Sequence, residues 1–234
     1  MVKPKDFTKL HADFNAPISQ RHDCGQWCAP LNDGQPVCCT VDNAIPIVDK
    51  AEWKSLKART DLWSKYKAPK GDKHAQKIVD ELPDTCLAIE CKGAALCERD
   101  NRSLACRSFP FYPFIDKKGR VIGLGYYWDF EDRCWVLSNL EIVEPEFVTE
   151  LLHAYEFLFF KDPDEFDVFK GQSTQQRRTF SKLGRDIPLI GRDGELYRIP
   201  PYSDEIIPAK PSDFGAHGPY VSDKAYKQAI KELS

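Results

Sequence analysis

Cysteine is the residue type through which this chain could do chemistry. The sequence contains nine cysteines, and all of them lie in its first 134 residues. Thiols serve as metal ligands and redox groups, and an odd number cannot pair completely as disulfides within one chain. In a reducing compartment the set therefore predicts a metal centre or a redox site. The nine are Cys24, Cys28, Cys38, Cys39, Cys86, Cys91, Cys97, Cys106 and Cys134.

The segment from Cys97 to Phe111 places two thiols, those of Cys97 and Cys106, beside Arg102 and Arg107. A neighbouring guanidinium lowers the pKa of a thiol and can donate hydrogen bonds to its sulfur. Both arginines are therefore candidate contacts of a bound cofactor. An ordinary salt bridge is the alternative role for each.

The upstream cysteines lie in a turn-rich loop that opens at Cys24 and Cys28 and closes at Cys38 and Cys39. Such sequence lets thiols converge without a helix or sheet fixing their directions. In an extended segment neighbouring side chains point to opposite faces. We therefore expect either that one of the adjacent pair binds metal while the other packs, or that each faces a separate centre.

The spacing of the later cysteines does not identify the metal. Cys86, Cys91, Cys97 and Cys106 are separated by five, six and nine positions, which match neither a zinc ribbon nor a ferredoxin run. Clustered thiolates repel one another unless a cation neutralises them, and a soft ligand set suits zinc, iron–sulfur or copper(I). His22 is a further candidate ligand, but a lone His beside an Asp is more often a solvated or hydrogen-bonded residue, so we expect an all-sulfur set. We predict an iron–sulfur cluster, with 4Fe–4S favoured, or zinc.

The charge of the chain argues against some partners. Lys and Arg total 33 and Asp and Glu total 36, which gives a net charge of −3. This balance gives no electrostatic reason for a nucleic acid or an anionic membrane as the main partner. No apolar run approaches the roughly 18 residues of a spanning helix. We expect a cytoplasmic protein whose partner is another protein or a small molecule.

The remaining patterns predict an α+β fold in which a loop-rich cysteine and metal centre is flanked by helices and small antiparallel hairpins. We divide the chain into an N-terminal tail, a cysteine-cluster domain and a C-terminal extension, at 1–21, 22–140 and 141–234. Apolar stripes predict helices, and Gly-containing turns between apolar runs predict hairpins. The helices are at 50–66, where Asp49 is the expected cap, at 145–160, where Pro145 lies in the first turn, and at 226–233. The hairpins are at 111–128 and 187–199, and Asp193-Gly194 supplies the turn of the second.

The segment Cys97 to Phe111 resembles the second half of the YkgJ-type cysteine-cluster proteins, whose signature is similar to C...RP..CR.FP. The first half of that pattern, clustered thiols ending in a Cys-Cys pair, corresponds to the loop from Cys24 to Cys39, so the resemblance covers roughly 22–140. Ser103 stands where the family has proline, and the loop after Cys28 is longer. The resemblance implies a zinc- or iron-chelating domain. Flagellin lysine N-methylases carry a similar cluster, which implies protein modification as a possible role.

Our leading hypothesis is a metal-binding protein, with an iron–sulfur cluster or zinc, that has a redox or protein-modifying role. The alternative is a zinc-stabilised structural or partner-binding module without catalytic activity. The choice between enzyme and non-enzyme stays open, because no methyl-donor site is recognisable. Cys97 and Cys106 are the first candidate ligands. Two more ligands complete the site, one from Cys39 or Cys38 and one from Cys91 or Cys28. The full candidate set is Cys24, Cys28, Cys38, Cys39, Cys91, Cys97, Cys106 and Cys134, and Cys86 is the weakest of the nine.

Overall fold

The protein combines helices with two antiparallel sheets, which confirms the predicted α+β class. The computed structural model describes residues 2–233. The α-helices are α1 Pro4–Asp13, α2 Gly25–Cys28, α3 Lys50–Lys57, α4 Lys73–Asp80, α5 Leu104–Ser108, α6 Pro145–Lys161, α7 Pro163–Lys182 and α8 Asp223–Leu233. The strands are β1 Ile47–Asp49, β2 Trp63–Lys65, β3 Cys86–Cys91, β4 Phe111–Ile115, β5 Val121–Tyr126, β6 Ile187–Gly191, β7 Leu196–Ile199 and β8 Ile207–Pro208. Within residues 2–233, every helix is too short or too polar to reach across a lipid bilayer.

The smaller sheet has the order β1-β3-β2 and carries the predicted helix 50–66 in a shortened form. The predicted cap is confirmed, because the Asp49 side chain accepts a hydrogen bond from the backbone N–H of Ala51. The predicted end is wrong, since α3 stops at Lys57. Trp63 is instead in β2 and pairs with Cys91 of β3. Burial of Trp63 in the core of this sheet overrides the helical periodicity of the sequence.

The larger sheet joins the two predicted hairpins edge to edge in the order β4-β5-β6-β7-β8. Both hairpins are confirmed, and β5 pairs with β6 between them. Gly123 makes this junction possible. A Cβ there would lie 2.2 Å from the backbone oxygen of Ile190, so any larger residue would push the two hairpins apart.

Helix α6 confirms the helix predicted at 145–160. Pro145 occupies the first turn, where its missing N–H costs nothing. Of the predicted apolar stripe, Phe147, Leu151, Tyr155 and Leu158 are buried, and Phe159 is partly buried. The helix therefore forms one wall of the main core against the larger sheet.

Helix α7 follows directly and contacts the larger sheet through buried hydrogen bonds. Its largely charged sequence does not indicate these contacts. Ser173 and Gln176 are both fully buried. The Ser173 Oγ accepts a hydrogen bond of 2.9 Å from the backbone N–H of Ile115, and the Gln176 Oε1 accepts one of 2.5 Å from the Tyr112 hydroxyl. These bonds fix α7 on β4.

The residues predicted as an N-terminal tail contain α1, and buried side chains of α1 and of the residue after it enter the main core. Phe7, Leu10 and Phe14 are at most 4% exposed. They share one cluster with Leu124 of β5 and Leu151 of α6. A single core therefore draws on all three predicted segments of the chain.

Candidate metal site

Arg102 lies among the thiols that the sequence singles out. Its Nε donates a hydrogen bond of 3.3 Å to the Sγ of Cys97. Burial disfavours its charge, but the bond to Cys97 and the charges of Cys97, Cys39 and Cys38 raise the pKa of Arg102. The guanidinium is thus held where sulfur charge develops.

Four thiols interact through their charges, and we call Cys39, Cys91, Cys97 and Cys106 the arginine-side set. Arg102 also lowers the pKa of Cys24, outside this set. Burial raises the pKa of Cys106 to about 12, with the charges of Cys91 and Cys39 adding to the effect. Burial also raises the pKa of Cys91, and the charges of Cys39 and Cys97 contribute. The Sγ of Cys91 accepts a hydrogen bond of 3.4 Å from the backbone N–H of Gly93.

The other four thiols form a second group, and we call Cys24, Cys28, Cys38 and Cys134 the tryptophan-side set. Burial raises the pKa of Cys134 to about 12, followed by the charges of Cys24 and Cys28. Burial raises the pKa of Cys24 to about 11, and Cys28 and Asp23 add to it. These thiols are therefore protonated at neutral pH in the absence of metal.

Two indole rings that neighbour cysteines of this second set in the sequence stack on each other. Trp27, just before Cys28, stacks on Trp135, just after Cys134, with centroids 5.2 Å apart and planes inclined by 8°. The imidazole of His22 lies 5.7 Å from the same Trp135 ring. His22 thus packs against an aromatic face beside the set.

The C-terminal segment lies over the tryptophan-side set. The Tyr226 hydroxyl of α8 donates to the backbone oxygen of Trp27 at 3.1 Å, and the Tyr220 hydroxyl donates to that of Arg133 at 3.2 Å. Burial and then the charges of Cys28 and Cys134 raise the pKa of Tyr220. The two tyrosines therefore tie the C-terminal segment to the residues that precede Cys28 and Cys134.

Cys38 and Cys39 connect the two sets. The segment predicted as extended is one turn of 3-10 helix, Val37–Cys39. The Cys38 thiol donates a hydrogen bond to the Cys39 sulfur, which raises the pKa of Cys38 well above its usual range and lowers that of Cys39 to about 7. Arg102 lowers the pKa of Cys39 further. The charge of Cys39 also raises the pKa of Cys28. The two sets therefore lie next to each other.

Cys86 lies away from the other thiols. It pairs with Asp49 across the smaller sheet. Burial raises its pKa, and the charges that raise it further come from Glu165, Asp49 and Asp162. The structure thus places Cys86 among carboxylates, whereas the eight other cysteines are placed among one another.

Arg107 differs from Arg102 in what it touches. Its Nε donates to the backbone oxygen of Arg102 at 3.1 Å, and its Nη2 donates to that of Asp100 at 2.7 Å. Its Nη1 donates to the backbone oxygen of Phe14 and, at 3.0 Å, to the Oδ1 of Asn15. Arg107 therefore braces the cysteine segment against the N-terminus, and its hydrogen bonds go to oxygen.

Helix α5, which carries Cys106, is held by residues that the sequence did not single out. The Ser103 Oγ accepts a hydrogen bond from the backbone N–H of Cys106 at 3.3 Å, so serine at this position caps the helix. The buried Glu52 carboxylate accepts a bond of 2.6 Å from the N–H of Leu104 and one of 2.8 Å from the Nε2 of His11. Serine just before a short apolar run was the available sequence signal.

The chemistry of the donor set fits a soft metal, although its present geometry is open. In residues 2–233, no three His, Cys, Asp or Glu side chains stand close enough together to hold a metal ion as they are placed. The sulfurs are nevertheless near enough for their charges to interact, as the pKa shifts of Cys24, Cys91 and Cys106 show. Changing one staggered χ1 rotamer of cysteine moves its sulfur by roughly 3 Å. Metal binding would therefore require side-chain rotation.

Comparisons with protein-family models, curated proteins and solved structures found no match to this chain. The resemblance to the YkgJ-type family therefore stays a prediction.

Proposed function

We propose that this chain is a cysteine-cluster metal protein that holds an iron–sulfur cluster, with the 4Fe–4S type favoured. One observation carries the proposal. Eight of the nine free cysteines, drawn from 24–28, 38–39, 91–106 and 134, are electrostatic neighbours of one another. Eight thiols gathered in this way are more than packing alone requires, and they form the ligand type that iron–sulfur clusters use.

The electrostatics of the site supports a cationic occupant. Burial raises the pKa values of Cys24, Cys106 and Cys134, so forming thiolates there is costly unless positive charge enters. Metal ions supply that charge and displace the protons. We expect metal affinity to rise with pH as a result.

Arg102 supports a redox role for the proposed cluster. Hydrogen bonds to cluster sulfurs and nearby charge are two of the factors that set the reduction potential of an iron–sulfur centre. The Nε of Arg102 already donates to Cys97. The guanidinium would stabilise the more negative, reduced state, which suits electron transfer.

A second candidate function is a zinc-stabilised structural or partner-binding module. The cysteine loop favours it, because Cys28 and Val37 are the buried side chains between residues 21 and 45. A segment with so little core of its own gains order from a metal clamp. Zinc would be held by four thiolates in a closed site and would show no redox response.

The experiment is anaerobic purification followed by measurement of iron, acid-labile sulfide and zinc, together with visible absorption before and after dithionite. Iron and sulfide with absorption that bleaches on reduction support the cluster. A colourless protein that contains zinc without sulfide supports the second candidate instead. Protein without bound metal, also after reconstitution with iron and sulfide or with zinc, would contradict both.

A further inference from the structure

We infer that the lysines of segment 65–77 form a docking surface for a protein partner with an acidic patch. We call them the lysine face, and its members are Lys65, Lys67, Lys70, Lys73 and Lys77. All five side chains are exposed. The inference goes beyond the proposed function and concerns protein binding alone, so it does not depend on whether the cysteine site holds metal.

The lysine face is built on a small apolar cluster of the smaller sheet. Tyr66 and Ala75 are both buried, and they lie in this cluster with Ala88 of β3. The backbone N–H of Tyr66 donates a hydrogen bond of 3.0 Å to the backbone oxygen of Ala88, which continues the pairing of β2 with β3. The segment is therefore anchored to the sheet near both of its ends.

This anchoring directs the lysines toward solvent. Side chains alternate along an extended chain, so Lys65 and Lys67 point away from the side that buries the tyrosine between them. Successive residues of a helix are about 100° apart, so Lys73 and Lys77 share the face of α4 that lies opposite the buried alanine between them. Because the tyrosine and the alanine belong to one cluster, the four ammonium groups lie on its outer side.

The charge of the lysine face is hardly neutralised within the chain. In the described part of the chain, residues 2–233, the face makes one ion pair, in which the Nζ of Lys77 lies 3.6 Å from the Oε1 of Glu81. Both side chains of that pair are 68% exposed, so it is weak. Asp72 is the one carboxylate of 65–77, and it accepts hydrogen bonds from the backbone N–H groups of His74 and Ala75 as the cap of α4. The face therefore keeps its positive charge available to a partner.

The acid-rich part of the chain differs, because some of its carboxylates have internal partners. Residues 141–167 contain nine Asp and Glu and one Lys. The Oε2 of Glu150 accepts hydrogen bonds from the backbone N–H groups of Asn15 and Ala16. Glu156 forms an ion pair with Arg192. The net charge of −3 thus conceals a positive surface that the acids of the chain leave open.

The composition of the lysine face favours a protein partner over a nucleic acid or a membrane. Its aromatic ring, that of Tyr66, is 9% exposed, so single-stranded bases have no ring to stack on. Segment 65–77 contains no exposed large apolar side chain that could insert into a bilayer. The net charge of −3 also disfavours an extended polyanion. A folded protein with a small acidic patch can meet the face alone, and such charge pairs guide association.

The lysine face begins beside a strand that carries a candidate thiol. Trp63 of β2 pairs with Cys91 of β3, and Lys65 pairs with Ile89 two positions along the same strand. A partner bound to the face would therefore lie next to β3 and close to this thiol.

The test measures binding of a fluorescent glutamate-rich peptide to the full-length protein by anisotropy over a series of salt concentrations. We expect binding that weakens as salt is added, because exposed charges are screened. The combined variant Lys65→Gln, Lys67→Gln and Lys73→Gln should bind about tenfold more weakly, since three exposed ion pairs are lost. No binding of the peptide to the wild type at low salt would overturn the inference.

The matched control makes the same change of charge on α8, where Lys224, Lys227 and Lys231 are also exposed. Replacing these three lysines by Gln should leave peptide binding as in the wild type. Equal weakening in the two variants would show attraction to the whole chain and would overturn the inference. Tighter binding of a single-stranded oligonucleotide of the same charge, or of phosphatidylserine vesicles, would assign the face to those partners instead and would also overturn it.

A measurement on the wild type alone protects the test against variants that fail to fold. Lysines are acetylated with and without the glutamate-rich peptide, and mass spectrometry then gives the extent of acetylation at each one. We expect the peptide to protect the lysines of 65–77 and to leave those of α8 as reactive as before. Equal protection of both groups would contradict a defined docking surface.

Discussion

The indole of Trp27 stacks on the indole of Trp135 with their centroids 5.2 Å apart. The two rings stand next to Cys28 and Cys134 in the sequence, so their contact joins two distant thiol-bearing segments. Trp135 is 9% exposed and Trp27 is 41% exposed. The stack is therefore a contact between a core residue and an exposed residue of α2.

Replacing Trp27 by Ala should loosen the tryptophan-side set without unfolding the protein. The half-exposed ring contributes about 1–2 kcal/mol to stability, and its loss should reduce the amount of bound metal. Metal content and urea denaturation would check this. Phe160→Ala is the matched control, because Phe160 is an exposed aromatic side chain of α6 and its loss should leave the bound metal unchanged. Equal metal loss in both variants would contradict the assignment.

Removing the charge of Arg102 should raise the pKa of Cys39 in the metal-free protein. That pKa is lowered to about 7, first by the hydrogen bond from Cys38 and then by Arg102. In Arg102→Gln we expect an upward shift of roughly one unit, and therefore slower alkylation of Cys39 by iodoacetamide at pH 7. Mass spectrometry of labelled peptides over a pH series gives the measurement.

Arg107→Gln provides the comparison, since the hydrogen bonds of Arg107 go to backbone and side-chain oxygens. This variant should lose stability while the Cys39 alkylation profile stays near that of the wild type. The same upward shift in both arginine variants would indicate loosening of the loop instead of loss of a local charge.

The difference between these arginines shows where sequence reasoning stops. Arg102 and Arg107 lie five residues apart and carry the same charge, so the sequence assigns them the same role. Arg107 donates a hydrogen bond to the backbone oxygen of Phe14 and not to a thiol. This contact joins distant parts of the chain. Tertiary contacts of this kind leave no local signal.

Elements with a local cause were predictable from the sequence. Asp49 as a cap, Pro145 at a helix start and Gly194 in the turn between β6 and β7 each act within a few residues. The end of α3 at Lys57 was not predictable in this way, because it depends on Trp63 entering a sheet. The gathering of the thiols was expected from their number. Local periodicity does not reveal that Cys24 and Cys134 pack with the main core and that Cys91 and Cys106 pack on the smaller cluster.

Glu52 should be a large contributor to stability because its carboxylate is buried. Arg59 can only donate, so its 2.6 Å contact makes the Nδ1 of His11 an acceptor, and the Nε2 carries the proton given to Glu52. Glu52→Leu leaves both this donor and the N–H of Leu104 without a partner. We expect a loss of about 2–4 kcal/mol in urea unfolding.

Glu52→Gln is the matched control because its amide oxygen can still accept hydrogen bonds. We expect it to lose roughly half as much stability as Glu52→Leu. Equal losses in the two variants would show that Glu52 acts through packing and would contradict its role as the acceptor that holds α5.

Glu165 predicts a pH dependence of stability. Burial, followed by the charges of Asp162, Asp49 and Glu52, raises its pKa from 4.5 to about 7. A raised carboxyl pKa means that the folded state binds the proton more tightly than the unfolded state. The contribution is therefore fully present below pH 4.5 and is lost as the pH rises through 7.

Removing this titration with Glu165→Gln should stabilise the protein more at pH 8 than at pH 5. Glu165 is partly exposed, so solvent screening reduces the effect. We expect the gain in the free energy of unfolding to be about 1–2 kcal/mol larger at pH 8 than at pH 5. Urea midpoints at the two pH values give the difference. Asp164→Asn changes an exposed carboxylate one position earlier and should show no comparable gain, and a pH-independent effect of Glu165→Gln would contradict the prediction.

The central claim is that sulfur alone holds the metal, and X-ray absorption at the metal edge of the anaerobically purified protein tests it most directly. The account predicts four sulfur neighbours per metal at about 2.3 Å and no nitrogen or oxygen shell. An iron–sulfur cluster would add a metal–metal distance, and zinc would not. Coordination dominated by nitrogen or oxygen would contradict the account.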